Sequence, residues 1–168
     1  VEFHIAEIQQ MQVNRAAGFT FASAMRNFLR HDPDVIMVGE IRDRETADIA
    51  VESALTGHLL LSTLHTNTAA TTITRLLDLG VEAYLLRASL LAVISQRLVR
   101  LTCPHCREVE VIAPRVREAL GVGADEVFHV GRGCTQCEGL GVYKRQAVYE
   151  MLVMSQRLRE LVVPGAEA

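Results

Sequence analysis

Three groups of residues in this chain have the types and spacing to do chemistry: Glu40 at the end of an apolar run, His58 and His65 flanking another, and two Cys-x-x-Cys pairs. Glu40 follows Asp32-Pro33-Asp34-Val35-Ile36-Met37-Val38-Gly39 and precedes Ile41-Arg42-Asp43. Ligands of open parallel sheets bind outside the carboxyl ends of the strands, where this order places the carboxylate. There a glutamate takes a proton from a water attacking a phosphoryl group, or orients a metal. Gly39 leaves room for a close backbone approach. The plainer role for Glu40 is a loop carboxylate paired with Arg42 or Arg44.

The histidines lie in His58-Leu59-Leu60-Leu61-Ser62-Thr63-Leu64-His65-Thr66-Asn67. Seven residues apart, they face opposite sides of an ideal strand, which argues against a shared metal. His65 falls at the strand's carboxyl end, beside Glu40 if the two strands are neighbours, and can donate to a phosphate oxygen. His58, just after Gly57, also suits a polar turn.

The cysteines are Cys103 and Cys106, then Cys134 and Cys137. A two-residue spacer lets both sulfurs of a knuckle reach one ion, and two knuckles separated by 27 residues (107 to 133) suit a four-thiolate structural Zn²⁺ site. Cys103-Pro104-His105-Cys106 also matches a redox dithiol, but such a pair opens a helix after a strand. Here Arg107-Glu108-Val109-Glu110-Val111-Ile112 alternates like a strand, and the second knuckle would be unexplained.

The elements that must position these groups follow from periodicity. Phe21, Ala24, Met25, Phe28 and Leu29 form one helical stripe, with Thr20 as N-cap and His31-Asp32-Pro33 as stop. A second, Ala47, Ala50, Val51, Ala54 and Leu55, ends at Gly57. A third, Ala69, Thr72, Ile73, Leu76 and Leu77, is capped by Asn67 or Thr68 and ends at Gly80. Val35–Val38 and Leu59–Leu64 read as strands covered on both faces. This alternation predicts an α/β layer with a parallel sheet. A fourth helix is expected near Tyr84 to Ile94 and a short strand at Arg97–Leu101. Glycine-rich texture then marks a metal-held subdomain from about Thr102 to Gly141, in which Arg115–Leu120 is helical. A strand-and-helix unit, Val142 to Val163, follows.

With 168 residues, 49% apolar, the chain can build a core of ordinary size. A net charge of −3 and 5% aromatic residues argue against a nucleic-acid partner. Ala83–Ile94, interrupted by Arg87, is too short to span a bilayer. Paired cysteines without a secretion signal favour a reducing, cytosolic compartment. The opening Val1-Glu2-Phe3 reads as cut from a longer protein, and no Gly-x-x-x-x-Gly-Lys-Ser/Thr phosphate loop occurs in the sequence.

Asp-Pro-Asp-Val-Ile-Met-Val-Gly-Glu-Ile-Arg-Asp, followed by Thr-Gly-His-Leu-Leu-Leu-Ser-Thr-Leu-His-Thr-Asn, resembles the secretion ATPases that power type II secretion and type IV pilus assembly, from Val1 to about Glu150. The resemblance implies the carboxyl half of a RecA-like P-loop NTPase domain (residues 1–101), a zinc subdomain (102–141) and a C-terminal strand and helix (142–168). It makes Glu40 the catalytic carboxylate of an atypical Walker B motif, and Glu2, Gly39, His58 and His65 nucleotide-site residues. Arg26, Arg30 and Arg42 become candidates for charge contacts at domain and subunit boundaries, against solvated positions or local pairs with Asp32 and Asp34. It further implies ATP with Mg²⁺, Zn²⁺ on the four cysteines, a homo-hexamer, and an inner-membrane platform protein as partner, met from the cytoplasmic side. After the second knuckle, Lys144 and Gln146 stand where the family usually has glycine and threonine, while Arg145 and Glu150 match. Leu64-His65-Thr66-Asn67-Thr68-Ala69 and Gln96-Arg97-Leu98-Val99-Arg100 lean toward type II secretion. The alternative from another class is a structural zinc module that only docks partner proteins.

Overall fold

The computed structural model describes residue 1 and residues 3–165, apart from the side chain of Arg15. Its elements are α1 (Phe21–Phe28), β1 (Val35–Val38), α2 (Arg44–Leu55), β2 (Leu59–Ser62), α3 (Ala69–Asp78), α4 (Ala83–Ser89), β3 (Ala92–Thr102), β4 (Arg107–Glu110), α5 (Pro114–Leu120), β5 (Phe128–Gly131), β6 (Val142–Val153) and α6 (Gln156–Leu161). Two compact units divide the chain: residues 1–95 with 150–168, and residues 96–149.

In the first unit the caps and stops expected at Thr20, Gly57, Thr68 and Gly80 are present, and Asp43 adds one that the pattern did not single out. Thr20 caps α1, accepting from the amide of Ser23, and Asp43 caps α2 through the amide of Thr46. Thr68 does the same for α3 through Thr71, and Gly57 and Gly80 take the left-handed conformation after α2 and α3. β1 and β2 pair in parallel with Val35 opposite Leu59 and Val38 opposite Ser62, so their carboxyl ends lie side by side. Met25, Ile36, Val38, Ala47, Ile73 and Leu86 are among the residues of one buried cluster against these strands.

Two expectations are corrected. The β1–β2 pair is not covered on both faces: Ile36 and Val38 are buried in the apolar cluster, whereas Val35 and Met37, on the other face of β1, are 53% and 71% exposed. The fourth helix stops at Ser89 rather than Ile94. Ala92, Val93 and Ile94 open β3 instead, since β-branched residues fit a strand and β3 has β6 to pair with.

In the second unit β4 and β5 pair antiparallel, Arg107 opposite Gly131 and Glu110 opposite Phe128. α5 carries proline in its first turn and ends on left-handed Gly121. The guanidinium of Arg117 stands 5.4 Å from the centre of the Phe128 ring.

Candidate functional site

Parallel pairing sets two loops next to each other at the carboxyl ends of β1 and β2. Glu40 lies in one and His65 in the other, with His65 Nε2 3.5 Å from Glu40 Oε2. Glu40 also accepts a hydrogen bond from Arg42 Nε at 2.5 Å. Its side chain is 22% exposed, against 80% for His65 and 60% for Arg42, so the carboxylate is the sheltered member of the trio.

Thr63 ties down the backbone on both sides of Glu40. Its hydroxyl donates to the Gly39 carbonyl at 2.6 Å, and its carbonyl accepts from the Ile41 amide at 3.0 Å. Both neighbours of Glu40 are thus tied to the residue two before His65. Beside it, the buried hydroxyl of Ser62 finds no hydrogen-bond partner among the described residues. Sequence reasoning missed both residues. A threonine next to a strand end is too common to signal a clamp, and an orphaned hydroxyl is visible only once packing is known.

The remaining candidates are spread out. A Cβ on Gly39 would meet the Phe21 ring at 3.7 Å, an ordinary contact, so packing within this chain leaves room for alanine there. His58 precedes β2, at the opposite end from Glu40, and its Nδ1 lies 3.0 Å from the Ser53 carbonyl and 3.2 Å from Thr56 Oγ1. Arg26 donates to Glu45 at 3.0 Å, and Arg30 is exposed in the turn following α1. Glu2 lies outside the described residues.

In the second unit the four cysteine sulfurs lie within 4.8 Å of one another, and none is in a disulfide. Metal–sulfur bonds near 2.3 Å in a tetrahedron require sulfurs about 3.8 Å apart. Cys103–Cys134, Cys106–Cys137 and Cys134–Cys137 are separated by 3.9, 3.8 and 3.7 Å, so the donor set fits Zn²⁺. Backbone amides turn toward the sulfurs: Gly133 donates to Cys106, and Cys134 and Gly141 donate to Cys137. Without a metal, burial pushes the Cys137 thiol up, but those two amides and the neighbouring thiols outweigh it and bring it down to about 6. Cys106 goes the other way: burial and its three neighbouring thiols raise it to about 12 against the single Gly133 amide. Thiolates are the ligands, so donated amides that favour the charged form also favour the metal.

Among the described residues no helix is long and apolar enough to cross a membrane. The chain matches the family described as Type II/IV secretion system protein over residues 1–168. It is 50% identical to the type IV pilus assembly ATPase PilB of Thermus thermophilus, over 100% of this chain and 19% of that protein. It is 49% identical to type II secretion system protein E of Pseudomonas aeruginosa, over 96% of this chain and 33% of that one. The chain thus spans a fifth to a third of these relatives, and the two classes match it equally. Among solved structures it resembles the pilus retraction motor PilT with bound ADP (TM-score 0.56, 34% identity, 85% of this chain and 32% of that one). The Legionella pneumophila ATPase DotB is similar at a TM-score of 0.55 and 30% identity, over 84% of this chain and 29% of that one. The α/β fold is therefore that of these ATPases, the four-cysteine cluster is a feature of this chain, and the chain belongs to the type II/IV secretion system protein family.

Proposed function

We propose that this chain supplies part of the hydrolytic site of an ATPase that drives type II secretion or type IV pilus assembly, acting within a longer protein. The observation that carries this reading is the Glu40–His65 pair, 3.5 Å apart at the carboxyl ends of two parallel strands. Glu40 orients the attacking water or takes its proton, and His65 donates to phosphate oxygens as charge develops on them. Gly39 admits the phosphates close to the backbone, and Mg²⁺ enters with ATP. Glu2 and His58 join the nucleotide site on resemblance alone. Arg26, Arg30 and Arg42 serve domain and subunit boundaries of a homo-hexamer, which works from the cytoplasm on an inner-membrane platform protein and not on nucleic acid. Residues 1–101 are the partial ATPase domain and 142–168 the C-terminal unit, and in 102–141 Zn²⁺ on the four cysteines is structural.

In the full-length protein Glu40→Gln keeps the shape and removes the base, so turnover should fall roughly 100-fold or more while ATP stays bound. His65→Ala should cost less, as one donor among several. Normal turnover by Glu40→Gln would overturn the assignment. This chain alone, whose sequence contains no phosphate loop, should release phosphate no faster than its own Glu40→Gln variant. A second reading is favoured by the gathering of all four cysteines in a separate compact unit: on its own the chain is a zinc-held docking module. Activity of the full-length protein that survives Glu40→Gln would favour it.

A further inference from the structure

His65 stands in the loop between β2 and α3, and that loop is held at both ends. Thr63 ties its start to the residues flanking Glu40. Its far end is tied by two residues distant in sequence. The carboxylate of Glu150 accepts from the Ala69 amide at 3.1 Å across 81 positions, and the Ser95 hydroxyl donates to the Asn67 carbonyl at 3.3 Å. Glu150 is on β6 and Ser95 on β3, strands that share one sheet.

The first bond has a physical reason. Ala69 opens α3, so its amide has no partner inside the helix, and the residue is 0% exposed, so water does not serve it. Thr68 already satisfies the Thr71 amide, which leaves the Ala69 amide to an outside acceptor. A carboxylate is the best such acceptor, because it meets the positive end of the helix as well as one N–H. With Ser95 on the preceding carbonyl, the two strands fix the loop's exit four residues beyond His65.

We infer that Glu150 is a positioning residue for His65: through the Ala69 amide it holds the loop so that the imidazole stays beside Glu40. This rests on the ATPase reading, in which His65 contacts the phosphates. Glu150 touches no reacting atom and acts through the loop.

The test is a double-mutant cycle in the full-length protein, with kcat and KM for ATP measured for Glu150→Ala, His65→Ala and their combination. Glu150→Ala should lower kcat about tenfold with KM nearly unchanged, and should lower it no further once His65 is alanine. Glu150→Gln, which keeps an acceptor for the amide, should stay within about twofold of the unmodified protein. An unchanged kcat in Glu150→Ala, or losses that simply multiply in the double variant, would overturn the inference. So would a Glu150→Gln variant as impaired as Glu150→Ala. If Glu150→Ala does not fold, Ser95→Ala takes its place in the cycle, with the same coupling to His65 expected and independence counting against it. Amide exchange of Ala69 in this chain separates this inference from the ATPase reading. Exchange should quicken about tenfold in Glu150→Ala whether or not the full-length protein hydrolyses ATP, and unchanged exchange sinks the clamp alone.

Discussion

At the scale of single residues, Glu40 is held in two ways, its carboxylate by Arg42 and His65 and its backbone by Thr63. The Thr63 hydroxyl donates to the Gly39 carbonyl and its own carbonyl accepts from the Ile41 amide, so the backbone at Glu40 is tied to the residue that follows β2. Ser62, adjacent to that clamp, is the opposite case, a buried hydroxyl without a partner among the described residues. A buried polar group left unpaired costs free energy, so Ser62→Ala should leave stability unchanged or raise it by about 1 kcal/mol, read from the urea midpoint of this chain. A clear loss of stability would mean that the hydroxyl is satisfied in solution. How much of this was legible follows from distance along the chain. Glu40 and His65 could be picked out because each ends an apolar run, and strand ends are local features. Their separation needed the pairing register, and Thr63, Ser95 and Glu150 needed contacts across 24, 28 and 81 positions, which leave no local trace.

At the scale of elements, legibility tracks capping. α1 and α3 announce themselves with threonine caps, and α2 and α3 end on glycines, so stripe and boundary agree. The misjudged boundary lies between α4 and β3, where helical periodicity continues past Ser89 and only pairing with β6 turns the chain into a strand. The texture after Cys103 identified a glycine-rich segment but not which glycines are indispensable. Gly131 and Gly141 are: a Cβ on Gly131 would stand 1.8 Å from the Gly141 carbonyl oxygen, and one on Gly141 would stand 2.2 Å from that of Gly131. Gly141 also donates its amide to Cys137 and accepts from the amide of Cys103. Gly131→Ala should therefore push two backbone segments apart and loosen metal binding, at a cost beyond the usual ~1–3 kcal/mol of overpacking. Gly123→Ala is the control, since nothing lies within 4 Å of its Cβ position. Equal metal affinity in the two variants would contradict the crossing.

At the scale of the molecule, the two units are stabilised differently, and this decides what metal removal does. The first unit owns an apolar cluster that includes Met25, Ile36, Val38 and Leu86. In the second, the buried hydrophobic residues are Cys103 and Cys137 themselves, while Val109, Val111, Leu120 and Val127 are exposed. With so little apolar area to bury, the free energy of metal binding is much of that unit's folding free energy. Chelation, or Cys134→Ser, should therefore speed amide exchange by orders of magnitude through residues 102–141 and leave Val35–Val38 protected. Acid should act in the same direction. Protons compete with the metal for each sulfur, and the metal-free Cys137 thiol, brought from an ordinary 9.0 down to about 6, keeps its thiolate further into acid than an ordinary thiol does. A lowered thiol value contributes stability that is fully present above the ordinary value and is lost as pH falls through the lowered one. Metal retention, followed with a chromogenic chelator, should thus decline on acidification, and at the pH where the metal leaves the loss of order should be confined to the cysteine-bearing unit. Simultaneous melting of the β1–β2 strands at that pH would show one cooperative structure where the packing indicates two.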